Sequence, residues 1–369
     1  MRYIGTHIEL TVNKLKVSYT DEGPDNAPVI ILIHGFPLNK LMWNKQVEVL
    51  IESCRVIAYD VRGHGSSDAG TDDFSIELFV NDLIALMDAL KIERAMLCGL
   101  SMGGYIALSA MENFPKRFDA LILCDTSCAA DSSEAKEKRL MTIENIEKYG
   151  IEHYANESLK NLFAPESFVT NRESIAWVKE MITETPLKTL SATLIALSKR
   201  KDTSNKLNKI EVPVLILVGE EDKITPPELA LFMQNNIKGA LLHRIEHAGH
   251  LSNIENAYDF NNHLLQFINS VNQQPEKYVK RDRLVTEVYH ARKITEHEKS
   301  VNDINTKILK ITSRIKDHYP ELAKNIDEMP INNSDENNRE ITLENLTNYY
   351  ESLNSVLNKY KEGSPKIGE

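Results

Sequence analysis

Short apolar runs rich in β-branched residues alternate with longer amphipathic stretches through most of this chain, and no other feature constrains its fold as much. Val29-Ile-Ile-Leu-Ile33 is uninterrupted, as a strand buried on both faces must be. Arg55–Tyr59, Arg94–Cys98, Ala120–Cys124, Val212–Val218 and Ala240–Ile245 read as further strands. Between and after them, Met42–Ile51, Ile76–Leu90, Tyr105–Met111, Pro227–Asn235 and Ala257–Val271 carry helical patterns. Strands and helices in strict alternation imply a parallel sheet with helices on both faces. Only at the start, in His7–Val12 and Lys14–Thr20, do apolar and polar residues alternate, which predicts an antiparallel hairpin. Asp21–Asn26 is a turn cluster before the first buried strand.

The rhythm breaks once. From about Asp131 to Ile210 the chain is rich in Glu, Lys, Ser and Thr, with helical patterns and no strand-like run. Inserted between two halves of one sheet, such a segment is expected to form a lid over the C-terminal edge of the strands, where open α/β sheets build their sites.

At that edge stands Gly99-Leu-Ser-Met-Gly103, between a strand and a helix. A G-x-S-x-G in this setting is a nucleophile elbow. The serine hydroxyl projects only if the turn is very tight. The serine backbone is then strained, and its neighbours must be small where helix and strand crowd together. Two more strands end in chemistry-bearing residues. Val212–Val218 runs into Gly219-Glu-Glu-Asp222, and Ala240–Ile245 runs into Glu246-His-Ala-Gly-His250. Serine, aspartate and histidine in that chain order, each after a different strand, follow the chain order of a hydrolase triad.

With these residues in place the chain resembles the α/β-hydrolase superfamily, and within it the serine esterase and lactonase branch that includes 3-oxoadipate enol-lactonases. The resemblance rests on His34-Gly-Phe-Pro37, Asp60-Val-Arg-Gly-His-Gly-Ser-Ser-Asp68, Gly99–Gly103, Gly219-x-x-Asp222 and Gly249-His250, and covers roughly residues 1–272. Ala257 departs from it, standing where relatives usually open the last helix with proline. The resemblance implies an α/β-hydrolase core over 1–130 and 211–272 with a helical lid over 131–210. It implies Ser101 as nucleophile, His250 as general base and then acid, and Asp222 as the carboxylate that orients the imidazole. The backbone N–H groups of Phe36 and Met102 would form the oxyanion hole. The expected reaction is cleavage of a small carboxylic ester or lactone without a cofactor.

Each assignment has a competitor. His247 rivals His250 as the base, and Asp125, Glu220 and Glu221 rival Asp222 as the acid; the family pattern favours His250 and Asp222. His34 and His64 read as structural, hydrogen-bonding within their own loops. Trp177, in the apolar lid stretch Ile175–Val178, is a core residue first and a weak candidate for substrate contact. Arg139, Lys148, Arg172 and Lys179 are the lid cations that a substrate carboxylate would meet, although lone basic residues on helices usually face water. A serine nucleophile excludes the alkyl-enzyme mechanisms that need aspartate at that position. A carbon–carbon bond hydrolase, a cofactor-free perhydrolase and a ligand receptor that keeps the triad are the alternatives.

A net charge of −11 argues against nucleic acid as a partner. The first ten residues hold no apolar core of signal-peptide length, and no segment has the roughly 20 apolar residues of a membrane span. Cys54, Cys98, Cys124 and Cys128 stand mostly in apolar runs without zinc-like pairing, so no metal is expected and the chain is expected to be cytoplasmic. Residues 273–369 fall outside the hydrolase pattern. Val301, Ile304, Ile308, Ile311 and Ile315 form one narrow seam, and Leu343, Leu346, Tyr350, Leu353, Leu357 and Tyr360 another, which predicts a C-terminal α-helical hairpin. A hairpin that small is expected to dock, on the hydrolase or in a homo-oligomer.

Overall fold

The computed structural model divides the chain into two units, Met1–Lys280 and Arg281–Glu369. It describes residues 7–272 of the first, and residues 347 and 350–357 of the second.

The first unit is built on an eight-stranded sheet. Its strands are β1 (Ile8–Val12), β2 (Leu15–Glu22), β3 (Val29–Ile33), β4 (Arg55–Tyr59), β5 (Ala95–Leu100), β6 (Phe118–Cys124), β7 (Val214–Gly219) and β8 (Leu241–Ile245). Their order is β1-β2-β4-β3-β5-β6-β7-β8. β1 and β2 form the antiparallel hairpin, β2 adds antiparallel to β4, and every other pairing is parallel. The helices are α1 (Asn44–Leu50), α2 (Ile76–Ala89), α3 (Met102–Asn113), α4 (Ser133–Tyr149), α5 (Ile151–Leu162), α6 (Ser167–Thr170), α7 (Arg172–Glu184), α8 (Leu187–Ser198), α9 (Pro227–Asn236), α10 (Ser252–Glu255) and α11 (Ala257–Asn272).

The uninterrupted apolar strands are explained by the two faces they fill. Side chains alternate along a strand, so Ile31 and Ile33 of β3 join Ile57, Tyr59 and Leu97 against Phe79 of α2 and Ile106 of α3. Ile30 and Leu32 join Val56, Ala58, Met96 and Cys98 on the opposite face, against Val47 of α1 and Phe260 of α11. The four cysteines are free and buried. Between β6 and β7 the chain forms α4–α8 and a 3-10 turn, with no strand. Leu159 of α5 and Met181 of α7 continue the second core cluster, while Leu190 and Leu194 of α8 pack with Ile146 of α4 and with Phe36.

Strand and helix ends differ from the sequence reading by one or two residues, and two helix starts differ for a physical reason. The helix expected from Met42 is preceded by a 3-10 turn over Lys40–Trp43, opened by the Asn39 side chain, which accepts the Leu41 N–H at 3.0 Å. The helix expected from Tyr105 begins directly after Ser101, because packing against β3 and β5 overrides the low helix propensity of Gly103 and Gly104.

In the second unit, residues 350–357 are helical. Leu353 and Leu357 are buried and Tyr350 half-buried, while Glu351, Ser352 and Ser355 are exposed. The rest of the expected hairpin lies outside the described residues. Among the described residues, no helix is long and apolar enough to cross a membrane.

The missing proline at Ala257 is compensated one residue earlier. Asn256 Oδ1 accepts the Asp259 N–H at 3.3 Å, capping α11, and its Nδ2 donates to the Glu246 carbonyl at 3.0 Å. Asn256→Ala loses both bonds and is expected to cost about 1–2 kcal/mol. Urea denaturation at an unchanged m-value checks this.

Candidate active site

β3 lies between β4 and β5, and Ile33 pairs with Gly99. That register brings the loop leaving β3, His34-Gly35-Phe36, against the turn leaving β5. A Cβ on Gly35 would stand 3.5 Å from Ser101 Cβ. The turn itself is as tight as the motif requires. A Cβ on Gly103 would meet the Ile33 carbonyl oxygen at 2.2 Å, and one on Gly99 would meet the Gly103 carbonyl oxygen at 2.2 Å. Ser101 takes φ 54° and ψ −112°, a conformation L-residues avoid. It is held there by its N–H, which donates to Cys124 O at 2.9 Å, and by its carbonyl, which accepts Gly104 N–H at 2.9 Å and the Thr126 hydroxyl at 2.8 Å.

Three side chains from different loops meet at this turn. Ser101 Oγ lies 2.8 Å from His250 Nε2, and His250 Nδ1 lies 2.8 Å from Asp222 Oδ2. His250 and Asp222 are buried, and Ser101 is only 9% exposed. Asp222 Oδ1 accepts the N–H of Ile224 at 2.8 Å and of Thr225 at 2.9 Å, and Oδ2 accepts the Thr225 hydroxyl at 2.7 Å. Burial works to raise the affinity of this carboxyl for its proton. The charge and hydrogen bond of His250 and the bonds from Thr225 outweigh it and hold Asp222 below the usual carboxylate range. An ionised Asp222 accepts from Nδ1–H, which leaves Nε2 bare and able to accept the Ser101 proton. Thr225, whose Oγ1 also lies 3.2 Å from His250 Nδ1, was not singled out from the sequence. The Asp-x-x-Thr spacing that closes an Asx turn is the signal that would find it.

The competing residues go elsewhere. His247 is exposed and lies 3.1 Å from Glu166, and Glu220 and Glu221 face water. Asp125 is fully buried at the end of β6, where it accepts the Gly219 N–H at 2.7 Å and is bonded to Ser252 Oγ. His250 is not among its partners. Burial, followed by the neighbouring charge of Asp222, pushes Asp125 well above the usual carboxylate range. His34 accepts the Val61 N–H at Nε2 (2.9 Å), and its Nδ1 lies 3.0 Å from Gly35 O. His64 Nδ1 lies 3.1 Å from Arg62 O, and burial pushes this imidazole down to about 3. Trp177 is half-buried against the core cluster that includes Leu159 and Val178. Among the described residues, the N–H groups of Phe36 and Met102 donate to no protein acceptor. Of the lid cations, Arg139 pairs with Asp131, Lys179 with Glu152, Arg172 with the Phe168 carbonyl, and Lys148 stacks on Tyr149.

Residues 28–257 match the family described as alpha/beta hydrolase fold. The chain is 30% identical over 249 residues to 3-oxoadipate enol-lactonase 1 of Acinetobacter baylyi, covering 68% of this chain and 91% of the relative. A thermophilic esterase from Thermogutta terrifontis superposes with a TM-score of 0.68 at 31% identity, over 72% of this chain and 99% of that one. The enol-lactonase from Burkholderia xenovorans superposes with a TM-score of 0.67 at 29% identity, over 71% of this chain and 100% of that one.

The two buried aspartates make a stability prediction. Asp125 keeps its proton in the folded state at pH values where the unfolded chain ionises, so folding loses stability as pH rises from about 4 towards the raised folded value. Asp125→Asn carries no such penalty, and its Oδ1 still accepts the Gly219 N–H while its amide lies against the Ser252 hydroxyl. The variant is expected to equal the wild type near pH 4 and to melt higher than it at pH 7. A difference in melting temperature that stays constant between those values contradicts the assignment.

Proposed function

The chain belongs to the alpha/beta hydrolase fold family, and on that premise we propose that it is a serine hydrolase that cleaves a small carboxylic ester or lactone through an acyl-enzyme. The observation that carries the reading is the relay Ser101 Oγ–His250 Nε2, His250 Nδ1–Asp222 Oδ2, with both distances 2.8 Å, at a strained strand-to-helix turn.

The steps follow from the protonation states. Ser101 Oγ attacks the carbonyl carbon as its proton passes to His250 Nε2, and Asp222 stabilises the imidazolium. The carbonyl oxygen becomes an oxyanion, for which the N–H groups of Met102 and Phe36 are the assigned donors. As the tetrahedral centre collapses, the C–O bond to the leaving alkoxide breaks and His250 returns the proton to that oxygen. An ester releases its alcohol, whereas a lactone keeps the new hydroxyl on the acyl chain. Water then repeats the sequence with His250 as base, freeing the acid and restoring Ser101.

The surroundings favour an uncharged acyl group. Phe36 packs with Ile146, Leu190 and Leu194 of the lid, an apolar wall beside the loop that carries one oxyanion donor. Arg139 and Arg200, the lid guanidiniums with little exposure, are both spent on Asp131. The small-molecule substrate is the one partner this reading requires. A homo-oligomer formed through the C-terminal helices is a separate proposal, motivated by the narrow apolar seam of Leu343, Leu346, Tyr350, Leu353, Leu357 and Tyr360.

Ser101→Ala is expected to fold normally and lose on the order of 10⁴-fold in kcat on a short p-nitrophenyl ester. Asp222→Asn should lose roughly 10³–10⁴-fold through the wrong imidazole tautomer. Activity of Ser101→Ala within about tenfold of the wild type would end the serine assignment. A single slow turnover by the wild type, accompanied by a large rise in melting temperature, would point to a receptor instead.

The second unit is expected to be dispensable for this chemistry. A chain ending at Lys280 should hydrolyse the same ester and differ in mass per assembly by light scattering. Unchanged mass with turnover abolished would show that the extension belongs to the active-site architecture.

A further inference from the structure

The loop that carries His250 is gripped from two sides. From the sheet, Gly219 at the end of β7 comes so close that a Cβ there would meet the Gly249 carbonyl oxygen at 1.9 Å, and the Glu221 N–H donates to Ala248 O at 2.9 Å. From the lid, a Cβ on Gly249 would meet the Ala164 nitrogen at 2.7 Å, and the His250 N–H donates to Leu162 O at 2.9 Å. Glu255, at the end of α10, ties these elements together. Its Oε1 accepts the Gly249 N–H at 2.8 Å, and its Oε2 accepts the Ala164 N–H at 2.8 Å and the Ser167 hydroxyl at 2.6 Å. At the surface, His247 of the same loop lies 3.1 Å from Glu166. Every lid atom in this set belongs to residues 162–167, the junction between α5 and α6.

A mostly buried carboxylate is costly unless donors surround it, and this one spends both oxygens on donors from two segments far apart in sequence. A helix-end residue with only a local role has no need of partners as distant as Ala164 and Ser167. We infer that Glu255 is a positioning residue, which locks the lid junction to the loop of His250 so that the base is in register with Ser101 when the lid is seated. The inference rests on the reading of His250 as the base. Its mechanism is geometric. Gly249 immediately precedes His250, so a shift of the lid junction passes through Glu255 to the imidazole, and a displacement of about 1 Å at a reacting group can cost on the order of 10²-fold in rate.

The full chain tests this with p-nitrophenyl butyrate as probe. Glu255→Gln keeps the length but places an amide N–H₂ against one set of donors, breaking one arm. Glu255→Ala breaks both, and Ser167→Ala removes a single lid bond. The expected result is a fall in kcat of about tenfold in Glu255→Gln and more in Glu255→Ala, with KM within about threefold of the wild type. Ser167→Ala should fall less than either. Wild-type kcat and KM in Glu255→Gln, with only a lower melting temperature, would overturn the inference and leave a structural role. If Glu255→Ala does not fold, Glu255→Gln and Ser167→Ala decide the matter. These outcomes are separate from the hydrolase reading, which is tested by the activity of Ser101→Ala and by steady turnover of the wild type.

Discussion

The structure depends on one close approach of backbone to backbone. Where β3, β5 and the start of α3 converge, Gly103 lies against the Ile33 carbonyl and Gly99 against the Gly103 carbonyl, at distances no side chain would permit. The strained φ of Ser101 is a consequence of that approach, since α3 must leave β5 without an intervening loop. The same contact brings the loop after β3 beside the serine, because Ile33 and Gly99 are paired neighbours. The loop of Gly35 and Phe36 and the Ser101 turn are therefore positioned together by the sheet. Core packing on both faces holds the strain, and Ile30, Leu32, Ile33 and Leu100 at this crossing are fully buried.

Two aspartates stand at equivalent places, just beyond the ends of the neighbouring strands β6 and β7, yet their surroundings shift their proton affinities in opposite directions. Asp222 meets a histidine and a turn of N–H and O–H donors, which keep it ionised. Asp125 meets one backbone donor and a serine hydroxyl, inside full burial and beside the charge of Asp222. Where two carboxyl groups feel each other's charge and one of them holds the favourable partner, their proton affinities move apart. Asp125 is still useful, since it bonds to the Gly219 N–H ahead of Asp222 and to the Ser252 hydroxyl just after His250, and so braces the two loops without competing for the imidazole.

What the sequence disclosed and what it concealed divide along physical lines. The buried strands were legible because double-faced burial forces unbroken apolar runs, and Arg55–Tyr59 agrees in both readings. The elbow was legible because its glycines answer to a steric demand that allows no alternative. Helix starts were less so. Residues 102–104 have poor intrinsic propensity and are helical because β3 and β5 hold them. Glu255 went unnoticed for a different reason. Glu255 acquires its meaning only from Ala164 and Ser167, far away in the chain, and a single sequence carries no sign of such a pairing. The same holds for Lys40, an exposed residue by composition that is buried in the structure.

Lys40 also shows how the loop after β3 is fixed. Its ammonium lies 2.6 Å from Asp60 Oδ2 with both side chains almost wholly excluded from water, and its N–H donates to Asp60 Oδ1 at 2.8 Å. Ser66 N–H and Ser18 Oγ complete the network, and Val61, next to Asp60, donates to His34. A buried ion pair seldom adds net stability over an apolar pair of similar size, because desolvating two charges offsets their attraction. Its effect here is on geometry. Asp60 bonds to residues on both sides of itself and to the chain just after Phe36, so the loop from His34 to Lys40 has few alternative placements. Apolar packing is tolerant of small shifts, whereas a set of directional bonds to one carboxylate is not. A backbone N–H that has to keep one direction, as the proposed reaction asks of Phe36, needs the second kind of restraint, which gives a physical reason for placing a costly charge pair behind it rather than a leucine and an isoleucine.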